Sequence, residues 1–183
     1  GAENLAVGSN ASYSNQTGNG ITAVGGSTLY NNTASNNTAV GSGSLYANTT
    51  GTFNLAVGAG LYGGAAGTLG ANTTGSYNTG LGVRALQAST TASNNTAIGY
   101  AAMYNNTTGD SNTAGGTSAL TANTTGTQNT AFGMNAARDN TTGLSNSVFG
   151  EGAFISNTTG SYNTAVGRMS LFLNSTASNN TAV

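Results

Sequence analysis

Ten glycines in this chain each close a phrase of the form Asn-Thr-Ala-Val-Gly: Gly8, Gly25, Gly41, Gly58, Gly82, Gly99, Gly116, Gly133, Gly150 and Gly167. The intervals between them are 17, 16, 17, 24, 17, 17, 17, 17 and 17 residues. A disordered polar tract has no reason to hold such a register. A fixed period marks a repeat array, in which every unit must match the units beside it. The phrase starts again at Asn179 and breaks off at Val183.

The unit reads Asn-Thr-Ala-Val-Gly-x-x-Ala-Leu-x-x-Asn-Thr-Thr-Gly-x-x, and its leading Asn is position one. Position four holds Val7, Val24, Val40, Val57, Leu81, Ile98, Gly115, Phe132, Phe149, Val166 and Val183. Position nine holds Leu29, Leu45, Leu69, Leu86, Met103, Leu120, Phe154 and Leu171, with Ser12 and Ala137 as exceptions. Positions three and eight are small almost throughout. Such a unit is too short for the common two-helix repeats, and two glycines with β-branched residues between them disfavour helix. Thr-Ala-Val between Asn and Gly reads instead as a short strand between corners. Rising ~3.3 Å per residue, one unit can trace a closed coil, and coils stack ~4.8 Å apart as parallel strands. The expected fold is therefore all-β: a parallel β-solenoid (β-roll or β-helix) of ten coils, one for each closing glycine. A lone coil buries too little to offset its own ordering, so only the stack is stable.

The stack assigns work to the polar positions. Asn at positions one and twelve is expected beside corners, where it tolerates left-handed backbone, and its amide can pair along the column. Glycine at positions five and fifteen is expected to supply positive φ, with Ala92 and Ala177 as departures at the second. Proline is absent because nearly every backbone N–H belongs to a ladder. The 24-residue interval places a seven-residue surplus at Gly60 to Ala66, with the stack resuming by Thr68–Leu69. Glu151 and Arg168 share position six in consecutive units, so they should lie one strand spacing apart. Residues 1–183 read as one array. Gly1 aligns with position fifteen and Val183 with position four, so neither end reads as a cap, and the chain is expected to be a window of a longer array or a subunit stacking end to end.

Composition narrows the function. Charged residues are 4% of the chain, against roughly a quarter in ordinary globular proteins. There is no histidine, cysteine, lysine, tryptophan or proline. That removes thiol and imidazole chemistry and soft-metal ligation, and the four carboxylates are scattered. The reading is of a non-enzyme with no catalytic, cofactor or metal residues. A net charge of −1 with three arginines cannot neutralise a run of phosphates, so no nucleic-acid partner is expected. No apolar run approaches the ~20 residues of a membrane span, so this segment is not expected to insert.

The stretch NTAVGSGSLYANTTGTFNLAVG, Asn37 to Gly58, resembles the Asn-x-Ala-Val/Ile-Gly repeats in the heads of trimeric autotransporter adhesins, whose unit is shorter. It is also similar to the arrays of phage tail-fibre-like and bacterial surface fibre proteins. The resemblance covers essentially the whole chain. It implies a parallel β-roll, in three intertwined or side-packed chains, serving as a stalk or adhesive head. That function places the chain outside the cell, on a cell surface or on a virion, with a cell-surface receptor as a further partner.

Three surface patterns need weighing. Fourteen Asn-x-Ser/Thr sequons occur, among them Asn48, Asn72, Asn106, Asn123, Asn140, Asn157 and Asn174. They read either as attachment sites for covalent glycans, as in a glycan-decorated secreted filament, or as corner chemistry that happens to spell an acceptor. Thr-Gly-Ser/Thr recurs at Thr50–Thr52, Thr74–Ser76, Thr125–Thr127 and Thr159–Ser161. Threonine files bind ice in some solenoids, but a central glycine marks a corner and no second file is evident. Tyr13, Tyr30, Tyr46, Tyr104 and Phe172 share position ten, as a sugar-stacking strip or an aromatic ladder. For assembly, two arrangements stay open. If Ala of Thr-Ala-Val faces inward, Val forms an external apolar stripe that asks to be covered, as in a homotrimer; if Val faces inward, end-to-end stacking suffices.

Overall fold

The computed structural model describes residues 1–60 and 67–183. Its eleven strands lie side by side in chain order in one sheet. They are β1 (Leu5–Val7), β2 (Thr22–Val24), β3 (Thr38–Val40), β4 (Leu55–Val57), β5 (Thr79–Leu81), β6 (Thr96–Ile98), β7 (Thr113–Gly115), β8 (Thr130–Phe132), β9 (Ser147–Phe149), β10 (Thr164–Val166) and β11 (Thr181–Ala182). Every pair is parallel and joins equivalent positions, as in Thr38↔Leu55, Ala39↔Ala56 and Val40↔Val57. This is a β-solenoid, and ten steps of ~4.8 Å make it ~48 Å long from β1 to β11.

Register holds through the irregular intervals. The 16-residue coil shortens the second Asn corner: the Asn32 amide donates to the carbonyl two residues on, Ala34, at 2.7 Å. In the full-length coils that bond spans three residues, as from Asn48 to Gly51 at 2.9 Å. After the 24-residue interval, Leu69 N–H donates to Ala85 at 3.0 Å, so the stack has resumed there. The expected bulge at 60–66 lies, but for Gly60, outside the described residues. Glu151 and Arg168 stand on adjacent coils, with Met169 N–H donating to the Glu151 carbonyl at 3.0 Å. Their charged groups meet at 3.5 Å.

The corners differ from expectation in an instructive way. Position five needs glycine for its backbone: φ is +130° at Gly116 and +132° at Gly133. Position fifteen does not. Its glycines avoid positive φ; at Gly51 an added Cβ would run into the carbonyl oxygen of Gly75 one coil on and stand 2.6 Å from Asn48 Oδ1. Crowding, not φ, selects glycine there. Nor do the position-one and position-twelve asparagines of the inner coils turn left-handed. Positive φ falls instead at positions seven, nine and seventeen, as at Ser118 (57°), Leu120 (51°) and Gln128 (59°). Left-handed leucine is costly in isolation. It survives because the stack holds it: Leu120 N–H donates to Ala136 at 3.0 Å, and Asn123 N–H donates back to the Leu120 carbonyl at 3.1 Å.

The core combines an apolar part with buried side-chain amides. The middle residue of each inner strand points inward, alanine except at Gly80 and Val148: Ala97 and Ala131 are fully buried, as are Leu86, Met103, Leu120 and Phe154 at position nine. Beside them run two columns of buried asparagine. At position one, Asn129 Nδ2 donates to Asn112 Oδ1 at 3.2 Å and to the Gly143 carbonyl at 2.8 Å. At position twelve, Asn123 Nδ2 donates to Asn106 Oδ1 at 2.8 Å and to the Gly126 carbonyl at 3.0 Å. A buried amide costs little only when its groups are paired, and here both amide protons are used. Between Asn32 and Asn157 the second column is interrupted at one residue. Ser89 replaces its Asn, leaving Asn72 Oδ1 and Ser89 Oγ buried without a partner among the described residues.

Candidate functional site

With alanine inward, alternation along the strand turns positions two and four outward. Position two is a file of threonines, with Leu5, Leu55 and Ser147 as departures. Position four is a file of apolar side chains. Ile98 is 46% exposed, Phe132 43% and Phe149 41%, and Val24, Val40 and Leu81 are half-buried. The Phe132 and Phe149 rings stack at 5.8 Å. Gly115 interrupts the file for a local reason: a Cβ there would sit 2.5 Å from the Phe132 ring. Tyr100 and Met134 add exposed apolar side chains at position six, where Glu151 and Arg168 stand in the ninth and tenth coils. No charged side chain stands within the position-four file itself.

The aromatic ladder at position ten forms over three coils. Tyr13 and Tyr30 stack at 5.0 Å, and Tyr30 and Tyr46 at 5.2 Å. Their faces cover one another, which leaves ring edges for the solvent. Tyr104 has the Arg84 guanidinium 5.4 Å over its ring, and Phe172 is outside the stack. A second pair, Phe53 and Tyr77 at position seventeen, stacks at 5.3 Å. Sequence reading missed it; two aromatics at one position of adjacent units were the signal.

Hydroxyls serve the stack before they serve any ligand. Position thirteen threonines donate to the next coil, as Thr107 Oγ1 does to the Thr124 carbonyl at 3.0 Å. Position sixteen side chains accept backbone N–H groups from the preceding coil, as Ser76 Oγ does from Thr52 at 3.0 Å. Asp110 plays that part with a carboxylate, accepting from Ser93 N–H at 2.6 Å. Position fourteen is different. Thr74, Thr91, Thr108, Thr125, Thr142 and Thr159 form an exposed file.

The sequons divide sharply. Asn48, Asn72, Asn106, Asn123, Asn140 and Asn157 are 0% exposed and belong to the amide column. In the folded coil their Nδ2 atoms face protein, so these six cannot carry a glycan there. Asn174, in the terminal coil, is half-buried and donates to Ala177 at 3.2 Å. Arg138 and Asp139 pair with each other at 2.7 Å, and that hydrogen bond raises the guanidinium above its ordinary value. No helix among the described residues is long and apolar enough to cross a membrane. The outer surface offers apolar contact, ring edges and free hydroxyls. Compared with protein families, with characterised proteins and with solved structures, the chain matches none of them.

Proposed function

We propose that this chain is a non-enzymatic, rigid rod segment of an extracellular fibre or surface adhesin, a phage tail-fibre shaft being the nearest alternative, and that it works by associating with copies of itself. One observation carries the reading: the outward file at position four, apolar in every coil but one and running the length of the sheet. A contiguous apolar stripe on a water-exposed rod marks an interaction surface. A copy of the same chain suits it because only a partner with the same ~4.8 Å axial step can seat against every coil. The resemblance to trimeric adhesin heads and fibre repeats points the same way.

The test is a triple substitution. Val40, Val57 and Val166 changed to Thr keep the strand's β-branched shape while removing apolar surface. The unaltered chain should sediment as an oligomer, and the triple variant as a monomer with an unchanged far-ultraviolet spectrum. A monomeric parent at high concentration would overturn the reading. So would loss of β-structure in the variant.

A further inference from the structure

The buried amide column bears on how this chain can be made. Asn106 belongs to the tetrapeptide Asn105-Asn106-Thr107-Thr108, which holds two overlapping sequons. Asn105 is exposed, and Asn106 is fully buried with Nδ2 donating to the Gly109 carbonyl at 2.9 Å. The same contrast recurs along the chain. Asn48, Asn72, Asn123, Asn140 and Asn157 are buried in the column, whereas Asn36 and Asn94 are exposed at position seventeen, each with φ of 60°.

We infer that N-glycosylation at the Asn-Thr-Thr corners and the folded solenoid exclude each other, and that Asn36, Asn94 and Asn105 are internal acceptors the fold tolerates. The transfer bonds the anomeric carbon of a nucleotide- or lipid-linked sugar to Nδ2. The glycosyl–phosphate bond breaks, and one amide proton leaves to the transferase's base. On Asn123 the remaining N–H cannot serve both Asn106 Oδ1 and the Gly126 carbonyl, which Nδ2 holds at 2.8 and 3.0 Å. The sugar would also occupy space taken by the neighbouring coils. Before the coils stack, nothing shields these sequons. The chain therefore reaches its fold by a route on which these six asparagines are not glycosylated first.

The experiment uses a soluble asparagine glucosyltransferase with a nucleotide-linked glucose on the denatured full chain, followed by refolding. Fractions are sorted by mass, and the sites are located by peptide mapping. A chain with glucose on any of the six buried asparagines should fail to recover its β-sheet signal. A second chain carries Val at Thr50, Thr74, Thr108, Thr125, Thr142 and Thr159. These threonines are exposed, so the change removes the six sequons and leaves every ladder amide in place. With glucose on Asn36, Asn94 or Asn105 this chain should refold like its unmodified form, and an alanine set made in parallel controls for the valines. Recovery of the full signal by a chain with glucose on a buried Asn overturns the inference. So does failure of the variant glucosylated only at exposed sites.

Discussion

At the scale of single residues, the coil is shaped by backbone conformations that its sequence states only in part. Position five announces itself with glycine, and Gly116 shows why: φ is +130° and an added Cβ would stand 2.6 Å from the Gly133 carbonyl oxygen. Gly116→Ala should therefore lower stability by about 3 kcal/mol, the upper range for a residue forced into a sparsely populated region, read from denaturant melts. Ser118 is left-handed without being glycine, at φ 57°. Ser118→Gly relieves a cost of ~1–2 kcal/mol against the ~0.5–1 kcal/mol entropic cost of glycine. That change should raise stability slightly, by up to about 1 kcal/mol, with a melting temperature at or above the parent's. The left-handed leucines at position nine were illegible in the sequence for the same reason. Leucine carries no mark of positive φ, and only the pairing to the next coil makes that conformation the best available.

At the scale of the element, neighbouring coils compensate one another. The coil from Asn78 to Asn94 lacks both the Asn of position twelve and the Gly of position fifteen, carrying Ser89 and Ala92 instead. In other coils a Cβ at position fifteen would press on the Asn of its own coil, as Gly51 would on Asn48 Oδ1 at 2.6 Å. The shorter Ser89 leaves room for the Ala92 methyl inside the stack; in the terminal coil Ala177 stands with half-buried Asn174 still in place, its N–H donating to Asn174 Oδ1 at 3.0 Å. Ser89→Asn alone should gain little, because the new amide meets that methyl. Combined with Ala92→Gly, it should complete the column and give Asn72 Oδ1 a donor. The pair should be more stable than the sum of the single changes by about 1–2 kcal/mol, measured in a double-mutant cycle. Period, strand positions and amide pairing were legible in the sequence because they repeat. The direction each strand faces was not, since Thr-Ala-Val alternates equally well either way. Small Ala97 and Ala131 inside and bulky Ile98 and Phe132 outside invert the usual expectation. What faces position three explains it: a Cβ at Gly80 would stand 2.6 Å from Thr68 Cγ2 and 3.6 Å from Leu69 Cδ1, so the side chains of positions eight and nine leave room for little more than a methyl. Burial in the amide column puts the six Asn-Thr-Thr asparagines in the corner role, one of the two readings their sequons left open.

At the scale of the whole molecule, stability is a sum over like contacts between neighbours. Excising residues 116–132, one full period, joins position four to position five and should leave a shorter rod with an undiminished sheet signal per residue. Excising only residues 116–124 breaks register and should abolish it. The chain also lacks side chains that ordinarily titrate in mid-range, having no histidine or cysteine. Its melting temperature should stay level from about pH 5.5 to 8, which calorimetry across that range would check.

The amide columns have a direction. Asn129 donates to Asn112, Asn146 to Asn129 and Asn163 to Asn146, always from the later coil to the earlier, and the second column runs the same way from Asn157 through Asn140 to Asn123. Backbone ladder bonds point both ways, as Thr130 N–H to the later Asn146 and Gly133 N–H to the earlier Gly115, so their dipoles largely cancel. Those of the side-chain amides add, as peptide dipoles do along a helix. The rod is thus an electric dipole, positive toward its first coil and negative toward its last, although it is nearly devoid of charge. Transient electric birefringence would detect the moment. In low salt, two such rods should meet unlike end to unlike end.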